Sequence, residues 1–173
     1  MLRDIDLNEI SDGRLYTAND MVKADCMGCQ GCSSCCQGMG DSIVLDPYDM
    51  YRLCTGLKTA PAALLASSLE LGVVDGLILP HLKMNGNTDS CTYLNKNDRC
   101  SIHPFRPGFC RLFPLGRYYE NNSFSYFLQT HECPNPARQR SKSVNGLMSR
   151  IFQGTKNSYL IGTTISNRYK TML

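Results

Sequence analysis

Five of the chain's ten cysteines fall within residues 26–36, in the order Cys26-x2-Cys29-x2-Cys32-x2-Cys35-Cys36. In each C-x-x-C step one turn of chain presents two sulfurs to the same ion while intervening amides point back at them. Three such steps in succession are a metal-chelating signature. Two ligand frames are open. Cys26, Cys29, Cys32 and Cys36 reproduce the C-x2-C-x2-C-x3-C spacing of bacterial ferredoxins, with Gln37 where their Pro stands. Alternatively, Cys29, Cys32, Cys35 and Cys36 form a unit that ends in adjacent cysteines. Adjacent side chains diverge, which suits two neighbouring metals, or a cluster and a second site, better than one tetrahedral ion.

Four further cysteines stand beside backbone constraints, as preorganised ligands should. Cys91 and Cys100 end a short hairpin with a polar tip over Asn95 to Asp98. Cys110 follows the stiff run His103-Pro104-Phe105-Arg106-Pro107-Gly108, and Cys133 precedes Pro134. Arg106 and Arg111 flank Cys110 and are candidates to hydrogen-bond or charge-compensate bound thiolates. Cys54, in Tyr51-Arg52-Leu53-Cys54, reads as a core thiol on an amphipathic helix. His103 suits a hydrogen bond to backbone or to a metal-bound sulfur better than ligation, and His81 and His131 are weaker candidates still. No Cys–His pair suggests a nucleophile. The radical-SAM spacing fails because Met39 stands where Cys32 and Cys36 would need a third cysteine, so no catalytic residue is assigned.

The elements that must hold these thiols are short. Thr17-Ala18-Asn19-Asp20 has capping-box spacing for a helix to about Ala24. Residues 26–40 are too glycine-rich for regular structure. Ser42 to Leu45 reads as a strand. Asp46-Pro47 opens a helix through Leu53 and Cys54 that stops near Gly56, and a second helix runs from Thr59 or Ala60 to about Glu70. Leu77 to Met84 is expected to be extended, with a turn at Asn85-Gly86-Asn87. A hairpin pairs Leu115–Tyr119 with Phe124–Leu128 across Asn121-Asn122. The alternating Tyr and Phe side chains there are core packing first. The tail is expected to be helical from about Val144, within an extension over 143–173. The whole is expected to be one small α+β domain over 1–173, with hairpins and helices around a cysteine core at about 26–138.

At 173 residues the chain is long enough to bury a core without staples. Its ten cysteines fall below the ~8–10% that marks short secreted disulfide scaffolds. Met1 to Asp6 holds no apolar run for a secretory signal, and no stretch approaches the ~20 apolar residues of a membrane helix. A cytoplasmic location without membrane contact is therefore expected, where thiols stay reduced and serve metals or redox chemistry. Residues 1–100 hold 8 Lys/Arg against 13 Asp/Glu, whereas 101–173 hold 10 against 2. A basic final third would offset anionic metal thiolates or meet an acidic partner. Without interleaved aromatics the scattered cations read as solvated surface, so nucleic acid is not an expected partner.

Taken together, Cys29-x2-Cys32-x2-Cys35-Cys36, Cys91-Thr-Tyr-Leu, Cys100-Ser-Ile-His, Arg106-Pro-Gly-Phe-Cys110-Arg-Leu-Phe-Pro and Cys133 resemble the CxxCxxCC family. That family is described as zinc- or iron-chelating and includes the cysteine region of flagellin lysine N-methylase. The resemblance spans roughly residues 26–138 and implies a chelating domain with eight family cysteines, to which Cys26 is an addition. No Gly-rich methyltransferase loop is read in these residues, and a separate catalytic domain is not expected. The expected function is metal binding, most simply by an iron–sulfur cluster of the 4Fe-4S type. The role would be redox or accessory, in modification of a protein or peptide partner. The alternatives are a structural zinc module that binds a partner, and metal storage or sensing.

Overall fold

The computed structural model describes residues 6–25, 32–74, 76–120, 123–130, 132–133 and 139–142. Cys26, Cys29, His131 and the helical extension expected over 143–173 lie outside these residues. The described chain is α+β, built from short helices and small antiparallel sheets. Among the described residues no helix is long and apolar enough to cross a membrane.

A short helix α1 (Leu7–Ile10) leads into strand β1 (Ser11–Tyr16). The helix expected to run from Thr17 to Ala24 is instead a turn followed by strand β2 (Met21–Asp25). The turn itself is closed locally. The Asp20 carboxylate accepts the Thr17 N–H at 2.7 Å and the Thr17 hydroxyl at 2.8 Å, closing a turn rather than capping a helix. Beyond it Met21 is exposed, Val22 buried and Lys23 exposed, the alternation of a strand.

Asp46 caps α2 (Pro47–Leu57) by accepting the Asp49 N–H at 2.7 Å, with Pro47 in the first turn. Met50, Leu53, Cys54 and Leu57 recur at helical spacing and face one apolar cluster. The helix runs through Gly56 and ends at Lys58 in the left-handed conformation, φ 52°. Gly56 serves a close approach instead of a stop, because a Cβ there would overlap the Phe105 ring.

Helix α3 (Pro61–Ser67) stops short of Glu70, since Leu69–Val74 is strand β3, paired with β4 (Leu77–Leu82). Leu69 lies opposite Leu82 and both are buried, so strand pairing outweighs the helical tendency of the Leu69-Glu70-Leu71 run. The strand expected at Ser42–Leu45 is reduced to a single bridge, Val44 to His81, flanked by Leu82 N–H to Ile43 O and Leu45 N–H to Pro80 O. Short strands β5 (Met84–Asn85) and β6 (Ser90–Cys91) enclose the expected turn after Asn85.

A five-residue helix α4 (Gly108–Leu112) precedes β7 (Leu115–Glu120) and β8 (Ser123–Gln129), which form the expected hairpin. β1 adds to its free side, giving the order β1-β8-β7, while β2 pairs with β9 (Gln139–Lys142). The core has two clusters. The first joins Ile43, Leu45, Leu53, Leu64, Leu69, Leu82, Cys91 and Ile102; the second joins Val22, Leu112, Leu115, Tyr126 and Leu128. Helix α4 links them, with Cys110 packed on the first and Leu112 buried in the second.

Candidate metal centre

Three separate pieces of backbone converge on one small cavity. The first is the single 3-10 turn Ser34–Cys36, closed by the Cys36 N–H to the Ser33 carbonyl at 2.8 Å. Gln37 bridges to Ser90 and the Gly38 N–H donates to the Asp89 carbonyl at 2.8 Å, so the turn is fastened to β6. The second piece is β6 and the loop after it. Cys91 pairs with Met84, and the chain returns through a bridge between Leu94 and Cys100. The Asn95 side chain accepts the N–H groups of Asn97 and Arg99, at 2.9 and 3.1 Å, and so holds the polar tip. The register is not that of a hairpin with Cys91 and Cys100 at its two ends, because Cys100 lies opposite Leu94. The third piece is α4, approached through the 3-10 turn His103–Phe105.

Cys35, Cys36, Cys91, Cys100 and Cys110 line this cavity together. Its remaining wall is apolar, from Ile43, Leu82, Ile102 and Pro107, with Arg106 as its one cation among the described residues. Cys91 is buried and the other four thiols are half-buried. Among the described residues the eight cysteines from Cys32 to Cys133 are present as thiols. No three Cys, His, Asp or Glu side chains among the described residues stand close enough together to hold a metal ion as placed.

The electrostatics of this wall belong to sulfur. Burial pushes the Cys91, Cys100 and Cys110 thiols above their ordinary range. Two backbone donors oppose it: the Tyr93 N–H at Cys91 and the Ile102 N–H at Cys100, each two residues beyond its cysteine. This repeated N–H to sulfur arrangement favours the thiolate form. Neighbouring Cys91 pushes Cys110 further up, whereas Arg106 favours the charged form of both Cys100 and Cys110.

Other expected site residues stand elsewhere. Cys32 is half-buried, donates to the Ser34 hydroxyl at 3.8 Å and is not on the cavity wall. Cys133 is buried but is not on that wall either. Cys54 packs against the first apolar cluster away from the cavity lining. Of the two arginines only Arg106 reaches the wall. Arg111 turns its guanidinium to the Arg106 carbonyl at 3.2 Å and to Asp49 at 3.7 Å. His81 is buried with Nδ1 3.3 Å from the Leu82 carbonyl, and His103 precedes the cavity without lining it.

Sequence reasoning took Asp46 for the α2 cap and passed over Asp49 and Arg52. Asp49 accepts the Gly108 N–H at 2.8 Å, and Arg52 donates to the Pro104 carbonyl at 2.6 Å. Both tie α2 to the segment that carries Arg106 and Cys110. An acid three residues after the cap was the only available sign.

Residues 28–134 match the model of a family named CxxCxxCC and described as a "putative zinc- or iron-chelating domain". No curated protein and no solved structure matches the chain.

Proposed function

The chain belongs to the CxxCxxCC family, and we propose that it holds metal through thiolates gathered at this cavity. The observation that carries the proposal is the meeting of five cysteines, from three separate chain segments, on one largely apolar wall. An all-sulfur donor set suits zinc or an iron–sulfur cluster and not magnesium or calcium. Cys35, Cys36, Cys91, Cys100 and Cys110 are the proposed ligands on the described side, with Cys26, Cys29, Cys32 and Cys133 as candidates to complete the set. Arg106 offsets the negative charge, and the amides of Tyr93 and Ile102 hold sulfur lone pairs.

Within this reading the metal is an iron–sulfur cluster, favoured by the ferredoxin-like spacing of Cys26, Cys29, Cys32 and Cys36 and by the adjacent pair Cys35-Cys36. Such a cluster would supply one-electron chemistry, in a redox or accessory role towards a protein or peptide partner. A reducing compartment such as the cytoplasm would keep the thiols available. Zinc is the second reading, favoured by the pair of N–H to sulfur contacts, which also belong to structural zinc sites. Protein purified without oxygen should be brown and contain iron with acid-labile sulfide. Colourless protein with stoichiometric zinc would overturn the cluster and keep the thiolate centre. Protein without bound metal would overturn both.

A further inference from the structure

The tie between α2 and α4 has a cost that packing alone does not explain. Asp49 is 3% exposed, on the same helix face as the fully buried Leu53. A carboxylate there surrenders its water shell, and burial pushes its pKa up to about 6 despite nearby Arg111. A buried acid and arginine are on average no more stabilising than apolar side chains of the same volume. What they supply is a fixed geometry. Asp49 accepts the N–H of Gly108, the first residue of α4, at 2.8 Å. Its partner Arg111 reaches back to the Arg106 carbonyl at 3.2 Å. The carboxylate therefore grips α4 at its start and, through Arg111, the residue before Pro107. Between those two holds stand Arg106 and Cys110, the cation and one thiol of the cavity wall.

We propose that Asp49 is a positioning residue for the metal centre, which sets Cys110 and Arg106 against Cys91 and Cys100 by holding Gly108 and Arg111. This rests on the thiolate-centre reading for its purpose, and on the hydrogen bonds alone for its geometry. Asp49→Ala releases both holds. Asp49→Asn keeps an oxygen for the Gly108 N–H and loses the charge that faces Arg111. Leu53→Ala, one turn along the same helix, weakens the same core and leaves the hydrogen bonds of Asp49 and Arg111 in place.

The test uses the full chain with two readouts. The first is cobalt(II) titration, read from the thiolate-to-cobalt charge-transfer band. The second is the alkylation rate of each cysteine without metal, read by mass spectrometry. Asp49→Ala should weaken cobalt binding at least tenfold and speed alkylation of Cys110 at least tenfold relative to Cys91. Asp49→Asn should stay within about threefold of the parent in both. Leu53→Ala should keep the parent's band and its Cys110-to-Cys91 ratio even where urea shows an equal loss of stability. An unchanged Cys110-to-Cys91 ratio in Asp49→Ala, or an equal change in Leu53→Ala, overturns the positioning role. A parent chain that binds no cobalt and, purified without oxygen, carries neither iron nor zinc overturns the thiolate-centre reading, while the alkylation ratio still decides the positioning role.

Discussion

At the scale of single residues the cysteines divide by where they point. Cys110 and Cys91 share the cavity wall, whereas Cys54 packs against the same apolar cluster and is not on that wall. Cys91→Ser and Cys110→Ser are expected to lose at least half of the bound metal, and Cys54→Ser to retain it, by metal analysis of purified protein. Equal loss in Cys54→Ser would contradict the division. Asp49 makes a pH prediction. Its folded pKa is raised to about 6 from 3.8, so the folded state holds this proton more tightly than the unfolded chain. The group's stabilising contribution is full below the unfolded pKa and is lost as pH rises through 6. The stability of the parent minus that of Asp49→Asn should therefore grow as pH falls from 7 to 4. At one pKa unit per ~1.4 kcal/mol, the gain approaches roughly 3 kcal/mol, measured by urea unfolding. A flat difference, or one of opposite sign, would contradict it.

At the scale of elements, local chemistry was legible where neighbours in sequence decide the outcome. Asp46-Pro47 starts α2, and Leu115–Tyr119 pairs with Phe124–Leu128, both as composition demands. Where a distant partner decides, the sequence was silent or misleading. Val22 and Ala24 pack with β7 and β8, which turns a helix-like run into a strand. Gly56 looks like a helix stop and is a seat for Phe105, far along the chain. Asp49 bonds a residue 59 positions away. Gly56→Ala tests one such contact. Helix propensity alone predicts a gain of about 1 kcal/mol. The overlap with Phe105 predicts a net loss of ~1–3 kcal/mol instead, by urea unfolding. A more stable variant would show that the ring yields at little cost.

At the scale of the whole molecule, the two apolar clusters depend on the proposed metal unequally. The first includes Cys91 and has Cys36, Cys100 and Cys110 packed against it, whereas the second rests on the β1-β8-β7 sheet. Removing metal with a chelator should therefore raise hydrogen exchange across 34–36, 90–102 and 108–111 while β7 and β8 keep their protection. Uniform deprotection, or none, would contradict that asymmetry. The cysteine spacing made a metal-chelating domain legible from the start. Which thiols meet was not, because that depends on Gln37 pairing with Ser90 and on α2 gripping α4. The measurement that tests the central claim most directly is X-ray absorption at the metal edge of protein purified without oxygen. The account predicts an all-sulfur first shell near ~2.3 Å that loses sulfur in Cys110→Ser. A first shell of nitrogen and oxygen, or a shell unaltered by that substitution, would contradict it.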